Sequence, residues 1–275
     1  MKSRLSYSDA PPAVSRRIAG MTRDQQPQVT IFAMGFAALG ILSVISRDFA
    51  YQWEPVPNSI PGREVLAVLS GLLMIAVSAG LLFRATAPIA VRVLFPFLLI
   101  WQLLKLPAVL VAPGMEAVWL GFCEITALLA GGWMLFANLA EWNDSPLSRH
   151  ITGEEGIRIA RVLFGAALIP IGLSHIVYAD VTAGFVPAWL PYRSGWAYLT
   201  GVGQIACGVG ILLSVFARLA AYIEAAMLAI FAFLVWAPRT LKGPHRRFPM
   251  TAFLITWVIG ASAAIVAKNI PDRRR

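Results

Sequence analysis

Long apolar runs, separated by short polar connectors, make up most of the chain after a polar N-terminal stretch. Runs of about 18 or more apolar residues are typical of membrane-spanning helices. Because a backbone in lipid must satisfy its own hydrogen bonds, each run is expected to be helical. The predicted spans cover residues 29–46, 64–83, 88–111, 117–138, 158–178, 195–216, 218–238 and 250–267. The pattern predicts an all-α polytopic membrane protein with eight transmembrane helices.

The second half of the chain repeats the outline of the first. Offsets of 130 to 132 residues align prolines, arginines and glycines in the same order: Pro61 with Pro191, Arg63 with Arg193, Gly71 with Gly201, Pro107 with Pro238 and Gly40 with Gly172. Ordered matches of this kind indicate a tandem duplication. Four spans per copy is an even number, so we expect two parallel four-helix repeats related by an axis along the membrane normal.

One long polar connector divides the two copies. The predicted organisation is an N-terminal tail over 1–28, a first repeat over 29–140, a linker over 141–157, a second repeat over 158–268 and a basic tail over 269–275. Within the connector, Thr152 and Glu155 have the T-x-x-E spacing of a capping box that would open the fifth span.

Composition supports the membrane class and changes the meaning of the net charge. Hydrophobic residues are 58% of the chain, charged residues are 13% and the mean hydropathy is +0.71, whereas soluble domains have roughly a quarter charged residues. The net charge of +9 would suggest nucleic acid in a soluble protein. Here basic residues flank spans beside an anionic leaflet, so the predicted partner is the lipid bilayer and not nucleic acid.

The distribution of basic residues predicts the orientation. Most of the 23 lysines and arginines lie in the tails and in the loops on the side of the N-terminus. The positive-inside rule therefore places both termini in the cytoplasm, although the basic segment 239–247 opposes this assignment. Both proline-rich loops then face outward, and their aromatic residues are expected at headgroup depth: Trp53, Trp189, Tyr192 and Trp196. These rings are interpreted as interfacial anchors or, alternatively, as part of a lid over an outward-facing pocket.

Ionisable groups inside spans are candidates for function because they are costly in lipid. Lys105 and Glu124 lie at similar distances from the turn between the third and fourth spans. An antiparallel hairpin places them at the same depth, so we predict an ion pair, with Gln102 one turn away on the face of Lys105. The pair is interpreted either as structural neutralisation of two charges or as a polar, proton-linked site.

Secondary candidates are weaker. Arg92 and Glu224 lie near the inner ends of equivalent spans and would approach one another across the axis between the repeats. His175 has no histidine partner for haem ligation within the membrane and is expected to bond a neighbour such as Tyr178 or a backbone carbonyl. Arg63 and Arg193 are the repeated arginines of the two proline-rich loops.

Familiar motifs of catalysis and cofactor binding are missing from the sequence. Cys123 and Cys207 lie singly in apolar runs, which favours packing over disulfide, haem or redox-exchange chemistry. The chain has no P-loop, no H-E-x-x-H and no metal-type cluster, so no metal site is predicted. "GVGQIACG" at 201–208 lies within a span, where small residues favour helix packing.

The second half resembles the bacterial DoxX-like family of small four-span membrane proteins. The resemblance rests on "GLSHIVYADVTAGFVPAWLPYRSGWAYLTGVGQIACGVGILL" and "RLAAYIEAAMLAIFAFLVWAPR", within roughly residues 160–265. It implies a four-helix unit in the bacterial inner membrane, and some members of that family are associated with quinone-linked redox systems. It supplies no catalytic motif to transfer, and the duplication departs from the single four-span pattern.

Three functions remain open on these grounds. The first is an accessory subunit of a redox system, with quinone as a possible ligand and a membrane or periplasmic oxidoreductase as a possible partner. The second is a small-solute transporter, suggested by the repeats and the intramembrane charges. The third is a structural or assembly protein without a small-molecule site.

Overall fold

The computed structural model describes residues 26–50, 53–141, 150–241 and 247–270. The first half forms α1 (Gln26–Ser46), α2 (Arg63–Leu82), α3 (Ala87–Val111) and α4 (Glu116–Leu139). The second half forms α5 (Gly153–Val177), a short α6 (Ala179–Phe185), α7 (Arg193–Leu212), α8 (Ala217–Ile230), a π-helical segment (Phe231–Trp236), α9 (Ala237–Thr240) and α10 (Arg247–Asn269). Seven of these helices are each long and apolar enough to cross a membrane, and the continuous run Ala217–Thr240 formed by α8, the π-helical segment and α9 is the eighth. These eight spans confirm the all-α polytopic prediction.

The end of α7 and the start of α5 differ most from the predicted bounds. The chain leaves α7 after Leu212 because Ser214 and Phe216 adopt left-handed backbone conformations, which end the helix. At the start of α5, Thr152 is the N-cap residue, but its side chain makes no capping bond. Glu155 contacts His150 at 3.0 Å instead. The predicted capping box was therefore wrong, since the carboxylate found a partner outside the helix.

The spans alternate in direction, so the loops fall on two ends of the bundle. We call the end with the α1–α2 loop, the α3–α4 turn and the start of α10 the loop end. The opposite end, with Gln26 and Asn269, is the terminus end. Contacts between distant segments agree with this: Arg247 meets Asp48 at the loop end, and Arg92 meets Ala140 at the terminus end.

Helix packing follows the same order in both halves. Consecutive spans pack against one another, and the first span of each half packs on the last span of the other half, α1 on α10 and α5 on α4. The last spans, α4 and α10, also pack together at the centre. Within the most apolar stretch of each helix, 78% of α4 and 61% of α10 are buried in the bundle, against 22% of α3. Reciprocal contacts of this kind are those of a two-fold arrangement of parallel repeats.

Equivalent glycines bring equivalent helices into close contact. A Cβ on Gly40 would lie 2.5 Å from the carbonyl oxygen of Gly71, and a Cβ on Gly172 would lie 2.6 Å from that of Gly201. These are the pairs that the offsets of 132 and 130 residues align. Backbones approach this closely in membranes when glycine stands at the contact. The repeat in the sequence is thus also a repeat of helix contacts.

The contact between the central helices joins equivalent positions. The offset of 131 residues that aligns Pro107 with Pro238 also aligns Gly131 with Ser262. These two residues meet, because a Cβ on Gly131 would stand only 2.2 Å from the Ser262 hydroxyl oxygen. A residue in contact with its own counterpart marks the axis that relates the two copies.

The outer surface of the bundle is apolar over most of the spans. Leu103, Leu104 and Ile100 on α3 are each more than half exposed, and similar side chains cover α2 and α8. An exposed apolar surface this extensive is unfavourable in water, so it contacts the lipid bilayer.

The copies differ locally at the loop end of their third spans. Phe231–Trp236 in the second copy is π-helical, whereas the equivalent segment of α3 stays α-helical despite Pro107. Pro238 has no N–H to donate to the carbonyl four residues earlier, which is a recognised cause of local helix distortion.

Candidate functional site

The α1–α2 loop folds into the bundle and contributes buried residues to a polar cluster. Trp53 is only 4% exposed and Glu54 only 3%. Burial of Trp53 corrects the expectation that its ring is an interfacial anchor. The ring turns inward because its indole N–H finds an acceptor there, the Oε2 atom of Glu124, at 3.4 Å.

Glu54 is held by donors from two elements. It accepts a hydrogen bond from the Ala50 amide at 2.8 Å and another from the Ser70 hydroxyl of α2. Burial raises the pKa of Glu54, although these two donors oppose the shift. The carboxyl therefore gains a proton more readily than an exposed glutamate does.

Asp48 joins the loop to the second repeat. It forms ion pairs with Arg63 at the start of α2 and with Arg247 at the start of α10. Arg247 also donates to the Phe49 carbonyl at 2.5 Å, and the Arg63 guanidinium lies 5.3 Å from the Phe49 ring centre. Burial opposes ionisation of Asp48, but the two guanidinium groups prevail and lower its pKa.

Lys105 and Glu124 lie on the two packed helices of the α3–α4 hairpin. The Lys105 ammonium reaches across to α4, where a Cβ on Gly121 would be 3.0 Å from Nζ. Gly121 precedes Glu124 by three residues, so the ammonium and the carboxylate share one face, and they interact electrostatically. Both side chains are half-buried. This is the shared depth that the hairpin geometry predicts.

Two buried polar atoms beside Lys105 have no hydrogen-bond partner among the residues that the structure describes. They are the Trp101 indole nitrogen and the Gln102 amide oxygen, and the Gln102 residue is 8% exposed. Trp101 precedes Lys105 by four residues and Gln102 by three, so both flank the ammonium on the helix. The Phe49 ring covers Trp101, with ring centres 5.7 Å apart. A donor and an acceptor thus remain available next to a charged pair.

We define the loop-end cluster by its members: Asp48, Trp53, Glu54, Trp101, Gln102, Lys105, Glu116 and Glu124. Sequence reasoning missed the loop residues Asp48 and Glu54. It also missed Trp101 and Glu116. The carboxylate oxygens of Glu116 are buried and have no hydrogen-bond partner in the described part of the chain. The signal available was the pair of acidic residues in "RDFAYQWEPV", a segment that is otherwise aromatic and apolar. Chemically, the cluster can exchange protons and bind a polar head that has both donors and acceptors.

The second repeat has a separate polar pair, and it is not the predicted one. Glu224 on α8 is 0% exposed and accepts a hydrogen bond from the Gln204 amide of α7 at 3.0 Å. Arg92 instead donates to the Ala140 carbonyl at 2.6 Å and to the Glu141 carbonyl at 2.8 Å. The expected approach of Arg92 to Glu224 was therefore wrong. A guanidinium near a helix C-terminus is stabilised by its unpaired carbonyls.

The remaining predicted residues are dispersed. His175 contacts the Thr200 hydroxyl at 2.9 Å and packs on the Phe231 ring. A neighbour does satisfy the imidazole, as expected, but that neighbour is Thr200, while Tyr178 accepts from the Ala117 amide instead. Arg193 is exposed at the start of α7, in contrast to the ion-paired Arg63.

The second proline-rich segment stays at the surface of the loop end. Trp189 is 73% exposed, and Tyr192 and Trp196 are also exposed. The Trp196 indole donates to the Pro191 carbonyl at 3.0 Å. Rings in this position suit the interface between lipid and water.

The described residues form neither a metal-binding cluster nor a disulfide. Cys123 and Cys207 are buried and free. Within residues 26–50, 53–141, 150–241 and 247–270, no three His, Cys, Asp or Glu side chains converge as metal ligands.

Comparison with known proteins gives one family match. Residues 164–262 match a family model described as a domain of unknown function (DUF8561). The match begins in α5 and ends in α10, so it falls within the second repeat and covers less than half of the chain. No curated protein and no solved structure matches the chain significantly.

Proposed function

We propose that this integral membrane protein is an accessory subunit of a quinone-linked redox system, and that the loop-end cluster holds the quinone headgroup. The observation that carries the proposal is the set of unpartnered polar atoms on Trp101 and Gln102 beside Lys105. The resemblance of the second repeat to DoxX-like proteins agrees with it and implies the bacterial inner membrane as the location.

The chemistry of a quinone matches this set of groups. A quinone presents two carbonyl oxygens that accept hydrogen bonds, for which the Trp101 indole N–H and the Lys105 ammonium are donors. The quinol presents two hydroxyl groups that donate, for which Gln102 Oε1 and the Glu124 carboxylate are acceptors. Reduction consumes two electrons, supplied by a partner oxidoreductase, and two protons. Carboxyl groups in the cluster would exchange such protons.

Access from the membrane also favours a lipid-soluble ligand. Leu103, Leu104 and Leu106 on α3 flank the polar residues and are exposed on the lipid side. A ligand dissolved in the bilayer would reach the cluster along this helix without crossing water. The outward orientation of the loop end, expected from the distribution of basic residues, would place a periplasmic partner within reach.

The test is the quinone content of the full-length protein after mild detergent extraction from its native membranes. We expect wild-type protein to carry quinone, and the charge-conserving double variant Lys105→Met/Glu124→Gln to lose it. Arg193→Ala, which alters an exposed residue of the second repeat, is the matched control and should keep its quinone. Folded wild-type protein that carries only phospholipid, and no oxidoreductase in fixed proportion, would contradict the proposal.

A small-solute transporter is the second candidate. The reciprocal packing of the two repeats, α1 on α10 and α5 on α4, favours it, because parallel repeats can move against one another around a site. This candidate predicts solute flux that collapses in Lys105→Met/Glu124→Gln. Unchanged flux in the variant would remove these residues from a transport mechanism.

An assembly protein without a ligand predicts a different result. Apolar replacement of Lys105 and Glu124 together would leave function intact and raise stability, because a buried ion pair is often replaceable by well-packed apolar residues.

A further inference from the structure

The Gln204–Glu224 pair in the second repeat is enclosed by protein. Glu224 is 0% exposed and Gln204 is 1% exposed, so neither side chain reaches water or lipid. Glu224 lies seven residues into α8, about 10 Å along the helix from its terminus end. An ionised carboxylate at this depth has a high desolvation cost unless a cation accompanies it.

The hydrogen bonds of the pair are incomplete in a specific way. The Gln204 amide nitrogen donates to one Glu224 oxygen at 3.0 Å. The other Glu224 oxygen, Oε2, and the Gln204 amide oxygen, Oε1, are both buried and have no hydrogen-bond partner within residues 26–50, 53–141, 150–241 and 247–270. Both atoms are acceptors, so what the site lacks is a donor.

The surroundings supply no compensating charge. On α7, the titratable Cys207 lies about one turn from Gln204 and interacts electrostatically with Glu224. From the other side, α10 meets α8 through Gly260, which lies against Leu228. Neither residue is a cation. In the described part of the chain, no Lys, Arg or His forms an ion pair with Glu224.

A proton supplies the missing donor with a single added atom. A carboxyl group protonated at Oε2 presents an O–H toward the acceptor Gln204 Oε1, and the amide N–H already bonds Oε1 of the carboxyl. The acid and the amide then satisfy one another reciprocally. A metal cation would need more oxygen ligands than the two unpartnered ones, since calcium takes six or more.

We propose that the Gln204–Glu224 pair is a proton-binding site of the second repeat, in which the Glu224 carboxyl is held neutral by a proton taken from water. This inference does not depend on the proposed quinone site, because it concerns residues on other helices. It assigns the two repeats different polar chemistry: a charged cluster in the first and a neutral, proton-holding pair in the second.

Infrared spectroscopy of the purified full-length protein tests the protonation state directly. The carbonyl stretch of a protonated carboxyl differs from the bands of a carboxylate and shifts in deuterated water. We expect the difference spectrum between wild type and Glu224→Gln to show the loss of one such protonated band. Loss of carboxylate bands instead would overturn the proposal.

Labelling with dicyclohexylcarbodiimide gives an independent readout. The reagent reacts with a protonated buried carboxyl: the proton moves to a carbodiimide nitrogen and the carboxyl oxygen bonds to the central carbon. We expect the adduct at Glu224 in peptide mass spectra, its absence in Glu224→Gln, and no adduct at the exposed Glu64. Folded wild-type protein left unmodified at Glu224 would count against the inference.

Stability measurements separate the proton site from an ion pair. An amide at position 224 offers the same donor and acceptor as a protonated carboxyl, so Glu224→Gln should keep the thermal midpoint of wild type. Glu224→Leu should lower it, because Gln204 would keep two buried polar groups without partners. A marked loss of stability in Glu224→Gln would instead indicate that a negative charge is required, and the inference would be wrong.

Discussion

The α1–α2 loop and the connection between α5 and α7 hold equivalent places in the two repeats, yet they face opposite ways. The first buries Trp53 and Glu54 and binds Arg247 of the other repeat through Asp48. The second leaves Trp189 and Arg193 exposed. The same proline-rich pattern therefore forms a buried contact between the repeats in one copy and a surface segment in the other. The difference depends on whether its side chains find partners on neighbouring helices.

The largest expected difference between the two segments concerns tryptophan. Trp53→Ala should lower the free energy of unfolding by about 3–5 kcal/mol, since it empties a buried site and removes a donor to Glu124. Trp189→Ala should change it by less than about 0.5 kcal/mol because the ring is exposed. Denaturant titration of the purified variants measures both. Equal losses would mean that the loops do not differ in packing.

The next largest effect concerns the contact that Asp48 makes between the repeats. Asp48→Asn keeps the shape of the side chain but removes the charge that pairs with both arginines. It should lower the free energy of unfolding by about 2 kcal/mol. Asp180→Asn on the exposed first turn of α6 is the control and should be neutral.

The contribution of Asp48 to stability has a defined sign with pH. Because its folded-state pKa lies below the ordinary 3.8, the stability it adds is present above that value and is lost on further acidification.

Backbone conformation gives a smaller effect at a shared position. Gly62 precedes α2 and its counterpart Tyr192 precedes α7, and both adopt left-handed conformations. Gly62→Ala should cost about 1 kcal/mol, because alanine disfavours this conformation even though nothing lies within 4 Å of the added Cβ. Gly184→Ala, with equally open space and no positive φ, is the matched control. Thermal midpoints compare the pair, and a neutral Gly62→Ala would exclude backbone strain as a constraint.

The repeated arginines sharpen the comparison further. Arg63→Ala should lower stability by up to about 1 kcal/mol, since Asp48 keeps Arg247 as a partner. Arg193→Ala should have no measurable effect. High salt should reduce the difference between the variants, because the ion pair is partly exposed and therefore screened. A larger loss in Arg193→Ala would show that the second segment also depends on its arginine.

The smallest expected effect is the pH dependence that Glu54 contributes, and its sign is opposite to that of Asp48. Burial raises the pKa of Glu54 above the ordinary 4.5, so the folded state binds a proton that the unfolded state has lost. Wild type should therefore lose stability relative to Glu54→Gln as the pH rises through 4.5 toward the folded-state pKa. Parallel stability curves for the two proteins across this range would contradict the assignment.

Much of the fold could be predicted from the sequence because membrane helices depend mainly on local composition. Lipid leaves an apolar run no alternative to a helix, so the eight spans followed from run length alone. The repeat followed from ordered matches of proline, arginine and glycine. The glycines are constrained by packing, since a position such as Gly172 tolerates no side chain when another backbone lies 2.6 Å from its Cβ site.

Part of the candidate site was accessible by the same logic. Lys105 and Glu124 were placed together because equal distance from a turn means equal depth. The same rule applies to Gln204 and Glu224, which lie about equally far from the α7–α8 turn, but there the small residues around Gln204 drew the interpretation toward packing alone.

The sequence by itself determined the spans, the duplication, the parallel topology and the shared depth of residues on a hairpin. Only the tertiary structure decided which way each side chain points: Trp53 inward to Glu124, Arg92 to the end of α4, and Glu224 to Gln204. The physical reason is that depth along a helix depends on residue count, whereas direction around it depends on rotation and on neighbours distant in sequence. A buried polar group takes whichever partner the assembled helices bring within reach.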